Sequence, residues 1–253
     1  MKFYRSEFTH NYRSYSFGYT EYALRESETI SEVLSMGYLP YTGIPKLKAN
    51  SYYLARSLRV KTSPFELSSE NRRVFRKFEN IEIECTLIDL TNYDWTQEKI
   101  DFCLQYANSR FSTTFSPERF QHILDHSHGN KLICLESAGR MVGLILLGAD
   151  DTAWHYWFAF FALDFLPDMP FGKWAMTKSL DLAARTGIEF VYLGTCYGPH
   201  SLYKVRDFKG ISYFDGNEWS EDVKMLKALC KQDQNIQAID LIKIEPEHYA
   251  YLK

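Results

Sequence analysis

Residues 171–210 constrain the fold more than any other stretch of the chain. In FGKWAMTKSLDLAARTGIEFVYLGTCYGPHSLYKVRDFKG, Met176, Leu180, Ala183 and Gly187 recur at helical spacing. The spacing predicts an amphipathic helix over 173–187, closed by Gly187 in a left-handed cap. Residues 188–193 are β-branched, aromatic or apolar with one glutamate, and read as a strand. A helix delivered straight into such a strand is half of a parallel crossover unit. The strand runs out into Gly194, Thr195, Cys196, Tyr197 and Gly198, a small and polar break. Breaks of this kind sit at the carboxyl edge of an α/β sheet, where such sheets keep their ligands. Gly194 therefore marks the first place to look for a site.

The elements on either side come in a definite order. Upstream, the pattern predicts a strand over 81–90, a helix over 96–110 and a second helix opening at Ser116-Pro117-Glu118. Three apolar runs, 131–137, 141–149 and 153–163, are joined by Ala138-Gly139-Arg140 and Asp150-Asp151-Thr152 and predict an antiparallel meander. Downstream, a short helix is expected over 201–207 and a strand over 211–214. This order resembles that of the GNAT acyltransferase superfamily. The resemblance implies an α+β fold, a mixed sheet with flanking helices, over residues 81–253. Residues 1–80 are expected to form a smaller N-terminal region, with the boundary between 62 and 80. Within it, 1–24 reads as an edge strand or extended arm, 28–36 as a short helix capped by Gly37, and 52–60 (YYLARSLRV) as one strand. Ser68-Ser69-Glu70 then opens a basic helix.

A net charge of −3 excludes bulk attraction to nucleic acid, so a polyanion would have to meet a local patch. The basic helix offers one: Arg72, Arg73, Arg76 and Lys77 lie within two turns, and Arg56, Arg59 and Lys61 precede them. The run reads either as a solvated helix face or as a phosphate-binding patch. The 5 cysteines form no CxxC pair, which favours reduced thiols in a cytoplasmic protein over a disulfide framework or a zinc site. No apolar run reaches membrane-spanning length, and residues 1–16 lack the apolar centre of a signal peptide, so no membrane partner is expected. His122 and His126 are spaced i, i+4 with His128 close behind, but no HExxH glutamate accompanies them. They read as a solvated helix face, and no metal is expected. Cys196 reads as a small core residue, since nothing near it in sequence lowers its pKa.

Several short motifs bear on activity. Tyr192-Leu193-Gly194 is followed by Tyr203-Lys204, then Phe208, and later Trp219. Upstream stand Arg59-Val60, Phe65, Ser68, Arg72-Arg73-Val74 and Arg76, and near the N-terminus SEVLSMGYLPYTG. Taken together, residues 15–220 resemble the aminoacyl-tRNA–protein transferases, the arginyl and bacterial leucyl enzymes that add an amino acid to protein N-termini. Gly172 matches the glycine that opens the crossover helix of that family, and Asp164 loosely matches the acidic turn before it. The chain also departs from the family. Tyr52 and Ala55 stand about where its cysteines fall, so no thiolate metal centre can form there, and Leu39-Pro40 replaces its arginine pair.

The resemblance implies an aminoacyltransferase with aminoacyl-tRNA as co-substrate, no other cofactor, and a protein or peptide N-terminus as acceptor. Asp164 and Tyr197 are then the candidate catalytic groups. Asp164 would orient or deprotonate the amine, unless it only forms a turn. Tyr197 and Tyr203 would bond or stack on the terminal adenosine, with core packing the alternative for Tyr203. Arg59, Arg72, Arg73, Arg76, Lys204 and Arg206 would contact phosphate, or serve as surface charge.

A second reading is a CoA-dependent N-acetyltransferase. Such enzymes hold a pyrophosphate on backbone N–H groups of a glycine-rich loop before the crossover helix. Here that loop is Asp168-Met169-Pro170-Phe171-Gly172-Lys173, with one glycine, and it obstructs close backbone approach. A third reading is a GNAT-like binding module without chemistry. A continuous basic groove from Arg72 and Arg73 to Lys204 would favour tRNA; a splay between the fourth and fifth strands with free N–H groups would favour CoA.

Overall fold

An eight-stranded mixed sheet carries the fold, and a four-stranded antiparallel sheet packs on one of its faces. The structure, a computed structural model, describes residues 1–5, 21–43, 45, 47–111 and 115–233. The small sheet contains β1 (Lys2–Arg5), β2 (Glu21–Leu24), β3 (Tyr38–Pro40) and β4 (Ser51–Leu54), in the order β1-β2-β4-β3. Helix α1 (Ile30–Ser35) enters β3, and a capping box between Thr29 and Glu32 starts it. Of the expected arm over 1–24, residues 6–20 lie outside the described residues.

The large sheet has the order β12-β11-β5-β10-β9-β8-β7-β6. Strands β6 (Glu84–Asp89), β7 (Lys131–Ser137), β8 (Arg140–Ala149) and β9 (Ala153–Phe161) pair antiparallel in sequence order. Helix α5 (Phe171–Arg185) then crosses over to β10 (Phe190–Thr195), which pairs parallel with β9. Between β6 and β7 lie α3 (Gln97–Arg110), capped by Thr96, and α4 (Pro117–Leu124), capped by Ser116. This is the GNAT-like arrangement expected from the element order. Gly187, at φ +82°, ends the crossover helix as its sequence position predicts. The chain continues through α6 (Leu202–Asp207), β11 (Ile211–Phe214), β12 (Trp219–Ser220) and α7 (Val223–Gln232).

The stretch 52–60 is two strands, not one. The chain leaves the small sheet after Leu54 and enters the large one as β5 (Ser57–Lys61), which lies between β10 and β11 and antiparallel to both. The break contains no glycine or proline and the side-chain alternation looks continuous, so the pattern alone reads as a single strand. What turns the chain is Arg56, whose side chain is fully buried. Its Nε donates to the Cys196 carbonyl at 2.8 Å, and its guanidinium pairs with Asp233, which also accepts from the Gly198 N–H at 2.7 Å.

Alternation along β5 sets the two faces of the sheet. Leu58 and Val60 join Val191, Ile145 and Leu180 in the main core, under α5 and the basic helix α2 (Ser69–Phe78), which supplies Val74 and Phe78. On the opposite face, Leu132, Leu144 and Leu146 meet α3 and α4 through Cys103, Ala107, Phe120 and Ile123. The small sheet and α1 share that second face, where Leu39 and Leu34 pack on Ala153 and Tyr192.

Truncating Arg56 would strand a buried carboxylate, which typically costs about 3–5 kcal/mol. Arg56→Ala is therefore expected to lower the unfolding free energy by about that amount in urea titrations, and an unchanged midpoint would contradict the assignment.

Candidate active-site cleft

Strands β9 and β10 stay together for only three residue pairs, Phe190↔Ala153 to Tyr192↔His155. Beyond them β9 carries a bulge: Leu147 pairs with Tyr156 and Leu146 with Phe158, so Trp157 is the extra residue. Strand β10 meanwhile turns away at Gly194, whose φ of +74° suits glycine. The two strands splay apart, and a cleft of about 400 Å³ opens at the end of β10. Its floor is His155, Gly194 and Thr195, and Trp157 and Phe158 form one wall. The small sheet supplies the facing wall through Leu39, Pro40, Tyr53 and the Tyr41-Thr42-Gly43 turn, and Arg119 of α4 stands at the rim. No aspartate or glutamate is among the described residues that line it.

His155 is the titratable group at the floor. Burial pulls its imidazole down to about 3, and the nearby Lys204 ammonium adds to the effect, so the ring is neutral at physiological pH. Its Nδ1 lies 2.8 Å from Nε2 of His128. Its Nε2 faces the end of β10, 3.9 Å from where a Cβ on Gly194 would stand. His128 is wholly buried, with Nδ1 3.2 Å from the Tyr52 hydroxyl. It lies so close over β8 that a Cβ on Gly148 would fall 2.1 Å from its Nε2. His126 is locked as well: the backbone N–H of His128 donates to its Nδ1, leaving its Nε2–H to donate to the Ser51 carbonyl at 2.9 Å.

Of the catalytic and binding residues expected from sequence, Gly194 alone is among the described residues that line the cleft, beside Thr195 of the same break and Leu39-Pro40. Asp164 is exposed beyond the end of β9 and accepts two bonds from Arg140, at 2.7 and 3.0 Å. The Tyr197 hydroxyl accepts from the Arg56 backbone N–H at 2.7 Å, and its ring lies 4.6 Å from the Arg56 guanidinium. Tyr203 is partly buried against the main core. Lys204 does not reach out as a phosphate ligand. Its ammonium donates to the Leu193 and Thr195 carbonyls at 2.7 and 3.2 Å, and burial pulls it down to about 8. Arg206 is exposed and pairs with the buried Asp207, which also pairs with Lys173 at 2.7 Å.

The basic residues form no single patch. Arg59 is on the small-sheet face, between the Phe190 and Trp219 rings, with Nε donating to Ser212. Arg56 is buried. Arg72, Arg73 and Arg76 are exposed on α2, across the sheet from the cleft, with Arg73 bidentate to Glu70. The expected continuity with Arg56 and Arg59 is thus corrected: successive residues of β5 point to opposite faces, and the sheet divides the charges.

His122, His126 and His128 are buried, not a solvated helix face. His126 and His128 follow the end of α4, where the chain tucks under the small sheet and Ser127 donates to the Ala49 carbonyl. Among the described residues no group of three or more His, Cys, Asp or Glu could hold a metal ion, and no helix is long and apolar enough to cross a membrane. Cys196 is buried 3.6 Å from the Cys230 sulfur, and its thiol is pushed up by that contact and by burial. The loop before α5 borders a cavity of about 240 Å³ lined by Tyr106, Phe161, Phe165, Leu166, Met169 and Phe171, with Arg110 the one cation among its described lining residues.

Sequence reasoning missed His155, Trp157, Tyr53 and Arg119. One signal was available: His155 interrupts an otherwise apolar strand, AWHYWFAFF, and a buried polar group needs a partner.

No protein-family model matches the sequence, and no curated protein matches it. Solved structures do show a likeness. The C-terminal domain (DUF2156) ascribed to a lysylphosphatidylglycerol synthetase from Agrobacterium fabrum is 16% identical, with a TM-score of 0.44, over 66% of this chain and 51% of that one. L-PGS from Bacillus licheniformis is 13% identical, with a TM-score of 0.41, over 68% and 50%. FemX is 9% identical, with a TM-score of 0.47, over 74% and 66%. The chain thus spans about half the length of the first two. At these identities and TM-scores nothing about substrate passes from those proteins to this one.

The buried histidines predict an acid limb of stability. His155 and His126 are held down to about 3 and about 4 from 6.5, so below pH 6.5 the unfolded chain binds protons that the folded chain refuses. Stability should be complete above about pH 6.5 and fall toward pH 4, by about 1.4 kcal/mol per pH unit for each histidine. Urea titrations at several pH values check this, and His155→Gln should flatten the slope by one histidine's share.

Proposed function

We propose that the chain is an aminoacyltransferase that moves an aminoacyl group from tRNA to an α-amine, at a protein or peptide N-terminus. The observation that carries the reading is the neutral imidazole of His155 with its Nε2 turned to the open end of β10, beneath aromatic walls and with no carboxylate among the described residues that line the cleft.

Aminoacyl-tRNA brings its own activated ester, so the protein must bind the acceptor end, orient an amine and take a proton. Tyr41, Tyr53 and Trp157 offer faces on which a terminal adenine can stack. Arg119, whose Nε donates to the Thr42 carbonyl, brings positive charge to the rim. His155 takes the amine proton, and the ribose hydroxyl leaves. Lys204 holds the carbonyl end of β10 in place. The cations of α2 lie across the sheet from the cleft and Lys204 is buried, so the groove expected from Arg72 and Arg73 to Lys204 does not form, and the charge that meets the acceptor end is Arg119. The aromatic and aliphatic loop before α5 disfavours a nucleotide diphosphate.

The splay of β9 from β10 favours a second reading, an N-acyltransferase using a CoA thioester. Both are tested by incubating the full chain with mixed tRNAs carrying labelled amino acids and a peptide panel, in parallel with labelled acetyl-CoA. Label is expected on peptide N-termini from tRNA alone, and transfer from acetyl-CoA alone would overturn the proposal. His155→Gln should lower the rate on the order of 10²- to 10⁴-fold with a native unfolding midpoint above pH 6.5.

A further inference from the structure

We infer that His155, His128, Tyr52 and Ser127 form a proton wire from the floor of the cleft, through the interior, to the exposed Ser127. The inference rests on the aminoacyl-transfer reading for its chemistry, though not for its geometry. His155 Nδ1 meets His128 Nε2 at 2.8 Å, and His128 Nδ1 meets the Tyr52 hydroxyl at 3.2 Å. Ser127 stands beside that hydroxyl and is exposed where the other three are buried. His126 takes no part, because both its nitrogens are committed to backbone groups.

A chain of neutral rings and hydroxyls has two settings. In one, each proton points toward Ser127 and the Nε2 lone pair of His155 is open to the cleft. In the other, each points toward the cleft and His155 presents Nε2–H. A proton entering at Nε2 moves the Nδ1 proton to His128, the His128 Nδ1 proton to Tyr52, and the Tyr52 proton to Ser127, which releases one to water. No imidazolium forms. That matters here because the groups facing the two rings are Lys204, His126, Arg25 and Tyr52, none of them an anion that would stabilise a cation.

The reaction needs such an outlet. An α-ammonium acceptor and an ester give an amide, an alcohol and one proton. The first proton must leave before the amine attacks, when the acceptor end fills the cleft and shuts out water. The second passes to the departing ribose oxygen. Once the product has gone, water in the open cleft takes the Nε2 proton and water at Ser127 returns one.

Tyr52→Phe cuts the wire while keeping the buried ring. Two measurements on the full chain decide the matter. With ¹⁵N-histidine labelling, His155 in the native chain should exchange between its two neutral tautomers, and Tyr52→Phe should lock one of them. In the transfer assay, Tyr52→Phe should lower kcat about tenfold with KM unchanged and lose a multi-proton solvent isotope effect. His155 tautomers alike in both chains, with equal kcat, would overturn the wire. Tautomers that respond as expected in a chain that transfers nothing from tRNA would uphold the wire and refute the reaction assigned to it.

Discussion

The brevity of the β9–β10 pairing governs everything built at this end of the sheet. Parallel strands that stayed paired would satisfy each other's backbone groups and leave no room between them. Here pairing stops at Tyr192↔His155, the Trp157 bulge bends β9 one way, and Gly194 turns β10 the other. The gap gives the floor histidine access to a ligand. The small sheet then roofs it, so residues far apart in sequence, from Leu39 to Thr195, meet over one strand terminus.

The second requirement is that this terminus hold its shape. The loop after β10 is tied down by groups from far away in sequence: Arg56 on the Cys196 carbonyl and Tyr197, Asp233 on Gly198, and the Lys204 ammonium on the Leu193 and Thr195 carbonyls. Such bonds are worth more in a dry interior than at a surface, and losing one partner leaves the other stranded. Lys204, expected as a phosphate ligand, and Tyr197, expected as a catalytic group, thus act as braces for the backbone that carries Gly194.

Much of the fold was legible in the sequence because local signals agreed. Ser68, Thr96 and Ser116 cap their helices, Gly187 ends the crossover helix, and the three apolar runs pair antiparallel in sequence order. The site was less legible, for two physical reasons. Charge runs say nothing about which face a neighbouring strand residue will occupy, so Arg59 and Arg72 looked contiguous though the sheet separates them. Polar residues such as His128 and His155 acquire their meaning from a partner 27 positions away, which no local period encodes. Asp164 shows the converse: a strand-terminal carboxylate suggested chemistry, and the structure gives it a surface partner, Arg140.

The empty side of Gly148 ties two distant positions together. The imidazole of His128 occupies the volume that any side chain at 148 would need. A descendant of this chain could acquire alanine there only after giving up the ring, and one that lost the ring would be left with a void that a larger residue at 148 can fill. Among relatives, the pair should therefore be inherited or abandoned as a unit, and a bulky residue at 148 would mark a lineage in which the buried histidine pair has been dismantled.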